Sequence, residues 1–265
     1  VIDLDGATLA EPLTLSALEF DVLWEHLDLG PMPLPIKVPS PGRTWSERSA
    51  LAERAWAGLA GRGLGSAPHV EPRLADLLRL LAHPEREVDG RIWLGRRVRV
   101  LAAATGDDAV LAVLDGEWLT LREAAATGLP REAVGVLPPC SAGPGHSVTL
   151  PSADLDAAVA SCDGSPEGLA SALQARGVRS EDARALARMT RDASRLGQFG
   201  AAARDALGRR RRTAWVVGFF DTPEGRYLQV RRAREGCAPW STVCPTDQRR
   251  LLAHVEEALA EAENR

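Results

Sequence analysis

Near residue 85 the apolar residues of this chain change their period, from three- and four-residue spacing to alternation. That switch limits the chain to folds in which helices pack on an antiparallel sheet. Upstream, Phe20, Leu23, Trp24 and Leu27 form one stripe of a helix over 15–29. Ser16 with Glu19 predicts a capping box at its start, and Gly30 with the prolines at 31, 33 and 35 stops it. A short strand is expected over Leu34–Val38. Thr44 with Glu47 predicts a second capping box, opening a helix that runs to about Ala60 with Leu51, Ala55 and Leu59 inward. Pro72 suits the first position of a third helix, where Leu74, Leu77, Leu78 and Leu81 repeat the spacing up to Pro84. Downstream, residues 87–94, 97–104, 109–114 and 117–122 read as strands, separated by turn signals at 105–108 and at Asp115-Gly116. They predict an antiparallel meander, followed by a short helix over 130–137.

Residues 138–145, PPCSAGPG, lose all periodicity and read as a linker. After them the order of elements begins again: a strand at 146–150, helices at 153–162, 166–176 and 181–192, and strands at 195–204, 212–220, 226–232 and 240–244. A last helix is expected to be capped by Thr246, with Leu251, Leu252, Val255 and Leu259 as its stripe. Arg62-Gly63-Leu64 and Arg176-Gly177-Val178 hold similar places in the two halves. The expectation is an α+β fold: one domain over 1–265, with halves of about 1–137 and 146–265 related by internal duplication. Their strands would join in one pseudo-two-fold sheet flanked by helices.

Composition narrows function. The chain has 265 residues, 45% hydrophobic and 26% charged, enough for a substantial core. Its net charge of -4 provides no global basic field for nucleic acid or an anionic membrane. Lys37 is the single lysine among 32 basic residues, a bias of the kind seen in GC-rich actinobacterial genes. No apolar run approaches the roughly 18 residues of a membrane helix, so no membrane insertion is expected. Val1–Ala10 carries acids and lacks the basic start of a secretory leader. Cys140, Cys162, Cys237 and Cys244 are too dispersed for a disulfide framework, which fits a reducing, cytoplasmic setting.

Motifs for chemistry are missing. His26, His69, His83, His146 and His254 show no paired metal spacing, and Cys237 and Cys244 lack a second pair. There is no nucleophile elbow; His146 and Ser147 are adjacent on a strand and so face opposite ways. The glycines at 61–65 lack the Lys-Ser/Thr of a phosphate loop. Asp3, Asp5 and the acids of 154–161 read as helix-start and surface charges. No catalytic residue, metal or cofactor is expected. Two features stand out. Residues 204–234 hold nine arginines, including Arg209, Arg210, Arg211 and Arg212. They read as solvated charge, as a protein contact, or as phosphate contacts to nucleic acid, although no DNA- or RNA-binding motif accompanies them. There are also seven tryptophans, of which six are placed: Trp24, Trp56 and Trp93 fall at core-like positions, while Trp118, Trp215 and Trp240 sit on strands with the face left open.

Several segments resemble one known family. FDVLWEHLDLGPMPL at 20–34, the turn and helix at 42–63, IWLG at 92–95, AVLAVLDGEWLTL at 109–121, GQFG at 197–200 and GRRRRTAWVVGFFDTPEGRYL at 208–228 are similar, in order, to segments of EspG proteins. The resemblance implies a non-enzymatic cytosolic chaperone of type VII (ESX) secretion, without a cofactor. It implies a helical partner of the PE/PPE class, or a related WXG-type substrate, kept soluble for export. It also implies a central antiparallel sheet with flanking helical bundles about a quasi-two-fold axis. No binding motif carries over residue by residue. Gln198, Phe199 and Arg209, Arg210, Arg211 and Arg212 are the candidate partner contacts, and a nucleic-acid-associated regulator using 204–234 is the alternative.

Overall fold

A computed structural model of the chain describes residues 11–233 and 236–264. β1 (Leu13–Ser16) runs directly into α1 (Ala17–His26). The Ser16 hydroxyl accepts from the Glu19 amide, and the Glu19 carboxylate accepts from the Ser16 amide at 2.7 Å, which satisfies two helix-start donors at once. α2 (Trp45–Ala60) opens on the matching Thr44–Glu47 box. Between these helices the expected strand at Leu34–Val38 does not form; Leu34–Ile36 makes a 3-10 turn instead. Prolines at 31, 33 and 35 have no N–H to give to a ladder, and they outweigh the local apolar run. A short hairpin, β2 (Gly65–Ser66) with β3 (His69–Val70), leads to α3 (Pro72–Ala82).

The meander follows as β4 (Arg86–Trp93), β5 (Arg97–Thr105), β6 (Asp108–Asp115) and β7 (Trp118–Glu123), and then α4 (Leu129–Val134). The second half comprises β8 (Val148–Pro151), α5 (Ser152–Ser161), α6 (Pro166–Gln174), α7 (Ser180–Met189), β9 (Arg195–Arg204), β10 (Arg210–Arg212), β11 (Val217–Thr222), β12 (Gly225–Arg232), β13 (Trp240–Pro245) and α8 (Gln248–Glu263). Two expectations change here. The strand at 212–220 is in fact two, β10 and β11. They are separated at buried Thr213, whose hydroxyl bonds the carbonyls of Ala201 and Trp215. The cap of α8 is Asp247, whose carboxylate accepts from the Arg250 amide at 2.8 Å. Thr246 lies buried one residue earlier, its amide bonded to the Arg226 carbonyl.

All main strands join one antiparallel sheet in the order β1-β7-β6-β5-β4-β9-β11-β12-β13-β8, with β10 folded onto β9. From either edge inward, each half presents a short strand, then its meander in reverse. The halves meet at β4 and β9, paired from Arg86 opposite Ala203 to Trp93 opposite Leu196. One face of the sheet centre is sealed: Val88, Val100, Phe199, Val217 and Phe219 pack with Leu129 and Val134 of α4 and Leu251 and Val255 of α8. The other face is covered only at its flanks. Helices α1–α3 bury β5–β7 there, and α5–α7 bury the strands β11, β12, β13 and β8.

Residues 138–145 form a strap around the β11–β12 turn. Ser141 and Arg226 share a backbone bond, Gly143 donates to the Arg226 carbonyl, and the Tyr227 hydroxyl donates to Pro144 at 3.1 Å.

Candidate partner-binding groove

Between the two bundles, the uncovered face of β4 and β9 floors a groove of about 1100 Å³. It adjoins a pocket of about 530 Å³ toward Pro31, Pro33 and Pro84, sharing Leu34, Arg91 and Gln198 with it. Strand alternation decides what projects into it. On β4, Val88 and Ile92 point to the sealed core, so Arg91 and Trp93 point to the groove and Asp89, on the same face, to the adjoining pocket; on β9, Phe199 points inward and Leu196 and Gln198 outward. Cross-strand register turns these residues into two rows. One runs Arg97, Trp93, Leu196 and Phe220; the other runs Arg99, Arg91, Gln198, Gly218 and Gln229. The first row presents apolar surface, with Trp93 43% and Leu196 50% exposed, and Leu34 on the rim is 71% exposed. The second row is polar.

The expected contact residues divide. Gln198 lies on the groove floor, and Arg210 and Arg212 line the adjoining pocket. Phe199 does not reach the surface: it is fully buried on the opposite face, stacked on Phe219 at 5.9 Å between ring centres, over Gly90. As Gln198's neighbour in a strand it had to face the other way. Arg210 pairs with the Glu87 carboxylate at 2.8 Å, and Arg212 reaches Asp89 at 3.1 Å. The hydrogen bond to Asp89 raises the Arg212 pKa despite partial burial. Arg209 and Arg211 turn instead to Asp205, at 3.2 and 3.0 Å. The Asp205 carboxyl is held down to about 2, first by the Arg209 amide and then by the Arg211 and Arg209 guanidinium groups and the Leu207 amide.

The rest of the arginine cluster is likewise bound within the molecule. Arg204 donates to the Pro84 and Gly208 carbonyls, Arg226 to Asp221, Arg231 to Asp156 and Arg232 to Glu257. Arg234 lies outside the described residues, as do Asp3 and Asp5. The groove's own cations, Arg91, Arg97 and Arg99, were missed from the sequence, although they alternate with apolar residues in two strands. The tryptophans also divide. Trp24 is buried and donates to the Gly30 carbonyl at 2.8 Å, and Trp56 is half-buried against His26. Trp93, expected in the core, is on the groove floor. Trp215 is buried under Arg232, and Trp118 and Trp240 are exposed.

Among the described residues no group of His, Cys, Asp or Glu could hold a metal ion, and Cys140, Cys162, Cys237 and Cys244 are all free thiols. His146 bonds Asp182 at 3.0 Å. No helix among the described residues is long and apolar enough to cross a membrane.

A helix-flanked sheet with an open centre defines an α+β protein whose main concavity is a broad trough, not a closed chamber. The chain belongs to the EspG family, whose model matches residues 16–257. No curated protein matches the sequence. Among solved structures the chain is similar to the Mycobacterium tuberculosis type VII secretion system chaperone EspG5, determined in complex with a PE25–PPE41 dimer. The two are 17% identical, with a TM-score of 0.74 over 96% of this chain and 97% of that one. The expected central antiparallel sheet with flanking bundles is the fold found.

Proposed function

We propose that this protein is a cytoplasmic chaperone of type VII secretion. It binds a helical secretion substrate of the PE/PPE or WXG type, keeps it soluble and presents it for export. Family membership and the fold shared with EspG5 support this reading. The observation that carries it is the bare centre of the sheet, where Leu34, Trp93 and Leu196 stay exposed between two bundles. An apolar helix end docked there is removed from water, which lowers the free concentration of aggregation-prone surface. An interface of roughly 1,200–2,000 Å² with a few apolar anchors suffices for such a transient complex. Function then lies in binding, without a catalytic step or cofactor. The repeated element order supports descent of the halves 1–137 and 146–265 from one duplicated unit within a single domain. The nucleic-acid alternative is weakened by the internal pairing of the arginines at 204–232.

Co-expression with PE/PPE-type and WXG-type proteins encoded beside it, followed by size-exclusion chromatography, tests the proposal. A stable co-eluting complex that is lost with Leu196→Asp is expected. Clients that remain soluble and monodisperse without this chain, and never co-elute with it, would refute it.

A further inference from the structure

The groove has a charge that its host lacks. The chain is net negative, yet the main groove is lined by Arg91, Arg97, Arg99 and Arg231 and by no Asp or Glu. Arg231 is paired with Asp156. Arg99 spends one N–H on the Lys37 carbonyl, and among the described residues it has no carboxylate partner and Arg91 and Arg97 have no ion pair. Arg91 and Arg99 are also directly opposite each other across β4 and β5. Like charges in that position destabilise a sheet. The arrangement contrasts with the adjoining pocket, where Arg210 and Arg212 are neutralised by Glu87 and Asp89. Beside the unpaired arginines runs the apolar row of Trp93, Leu196 and Phe220.

Resting on the chaperone reading, we infer that the groove selects a helical tip in which carboxylates flank an apolar residue. The apolar side chain lies on Trp93 and Leu196, and Asp or Glu side chains one turn away meet Arg91, Arg97 and Arg99. Guanidinium groups bind carboxylates by paired, directional N–H donors, so the contact fixes orientation as well as sign. Relief of the Arg91–Arg99 repulsion is realised only in the complex. A nucleic acid would also meet the charge, but the row beside it offers one exposed ring, Trp93, with Phe220 buried, where binding a strand calls for successive stacking surfaces.

The test uses the full chain and a displayed library of two-helix hairpins with randomised tips, scoring binders that Leu196→Asp abolishes. The wild type is expected to enrich Asp and Glu beside Leu, Ile, Phe or Trp. Arg91→Glu/Arg99→Glu should weaken those binders about tenfold or more and enrich Lys and Arg instead. Thermal melts of both variants, expected to match the wild type, show that the fold survives. Groove binders without acidic bias, or identical tips on the charge-reversed chain, overturn the inference while leaving the chaperone reading intact. Absence of any groove-dependent hairpin overturns both. Retention of a labelled single-stranded RNA, lost on the same charge reversal, overturns it in favour of a nucleic-acid site.

Discussion

The Arg226 guanidinium and the Asp221 carboxylate form a two-pronged pair, at 2.7 and 2.9 Å, sealed from solvent at the β11–β12 turn. A third N–H of Arg226 reaches the Pro138 carbonyl at 3.0 Å, and the guanidinium lies over the Phe219 ring. The pair therefore ties the strap to the sheet. Asp221→Ala leaves a buried cation uncompensated and should lower unfolding free energy by about 3–5 kcal/mol. Adding Arg226→Met should recover much of that loss. Urea denaturation followed by circular dichroism measures both; additive losses in the double variant would deny the coupling.

The arginines of β10 and of the turn before it are unequal. Arg212→Ala exposes Asp89 to burial without its partner, a loss of about 1–3 kcal/mol, moderated because Arg212 is partly exposed. Arg209→Ala, on a solvated pair, should change stability by less than about 0.5 kcal/mol. Equal effects in chemical denaturation would contradict the separate roles assigned to these neighbours.

Asp205 links the turn before β10 to pH. Its carboxyl is depressed to about 2 from an ordinary 3.8, so its stabilising contribution is complete above about pH 4 and disappears as pH falls through about 2. Asp205→Asn should melt below the wild type at neutral pH, and the gap should close between pH 4 and 2. Thermal melts across that window test this, and a gap that stays constant would exclude the linkage.

Gly143 leaves no room for a side chain, since a Cβ there would overlap the Tyr227 ring. Gly225, at φ +138°, would place its Cβ 2.5 Å from the Gly143 nitrogen. Gly143→Ala should cost about 1–3 kcal/mol by overpacking. It should also speed limited proteolysis within 138–145. Cleavage no faster than in the wild type would mean that the strap is not held by this fit.

Local signals were readable in advance wherever local physics decides. The Ser16–Glu19 and Thr44–Glu47 boxes involve residues three apart, and both formed as expected. The meander boundaries followed from alternation and turn residues. What escaped depends on partners far along the chain. Arg210 and Arg212 find Glu87 and Asp89 123 residues away, so a run of bare charge in the sequence is a set of ion pairs in the fold. Trp93 was misjudged by its core-like spacing, and Phe199 by being grouped with its neighbour Gln198 as a contact: with one sheet face open at the centre, strand phase, not residue type, decides exposure. Pro- and Gly-rich residues 138–145 looked like a spacer because their carbonyl and amide partners lie on β12.

The outermost strands, β1 and β8, are four residues long, and each passes at once into a helix, α1 or α5. A strand arriving from another molecule would gain only a few ladder bonds before meeting that helix. A large open sheet of this kind would otherwise invite fibre growth. Brief margins leave such growth little edge to extend from, so the breadth of the sheet is gained without a long exposed ladder.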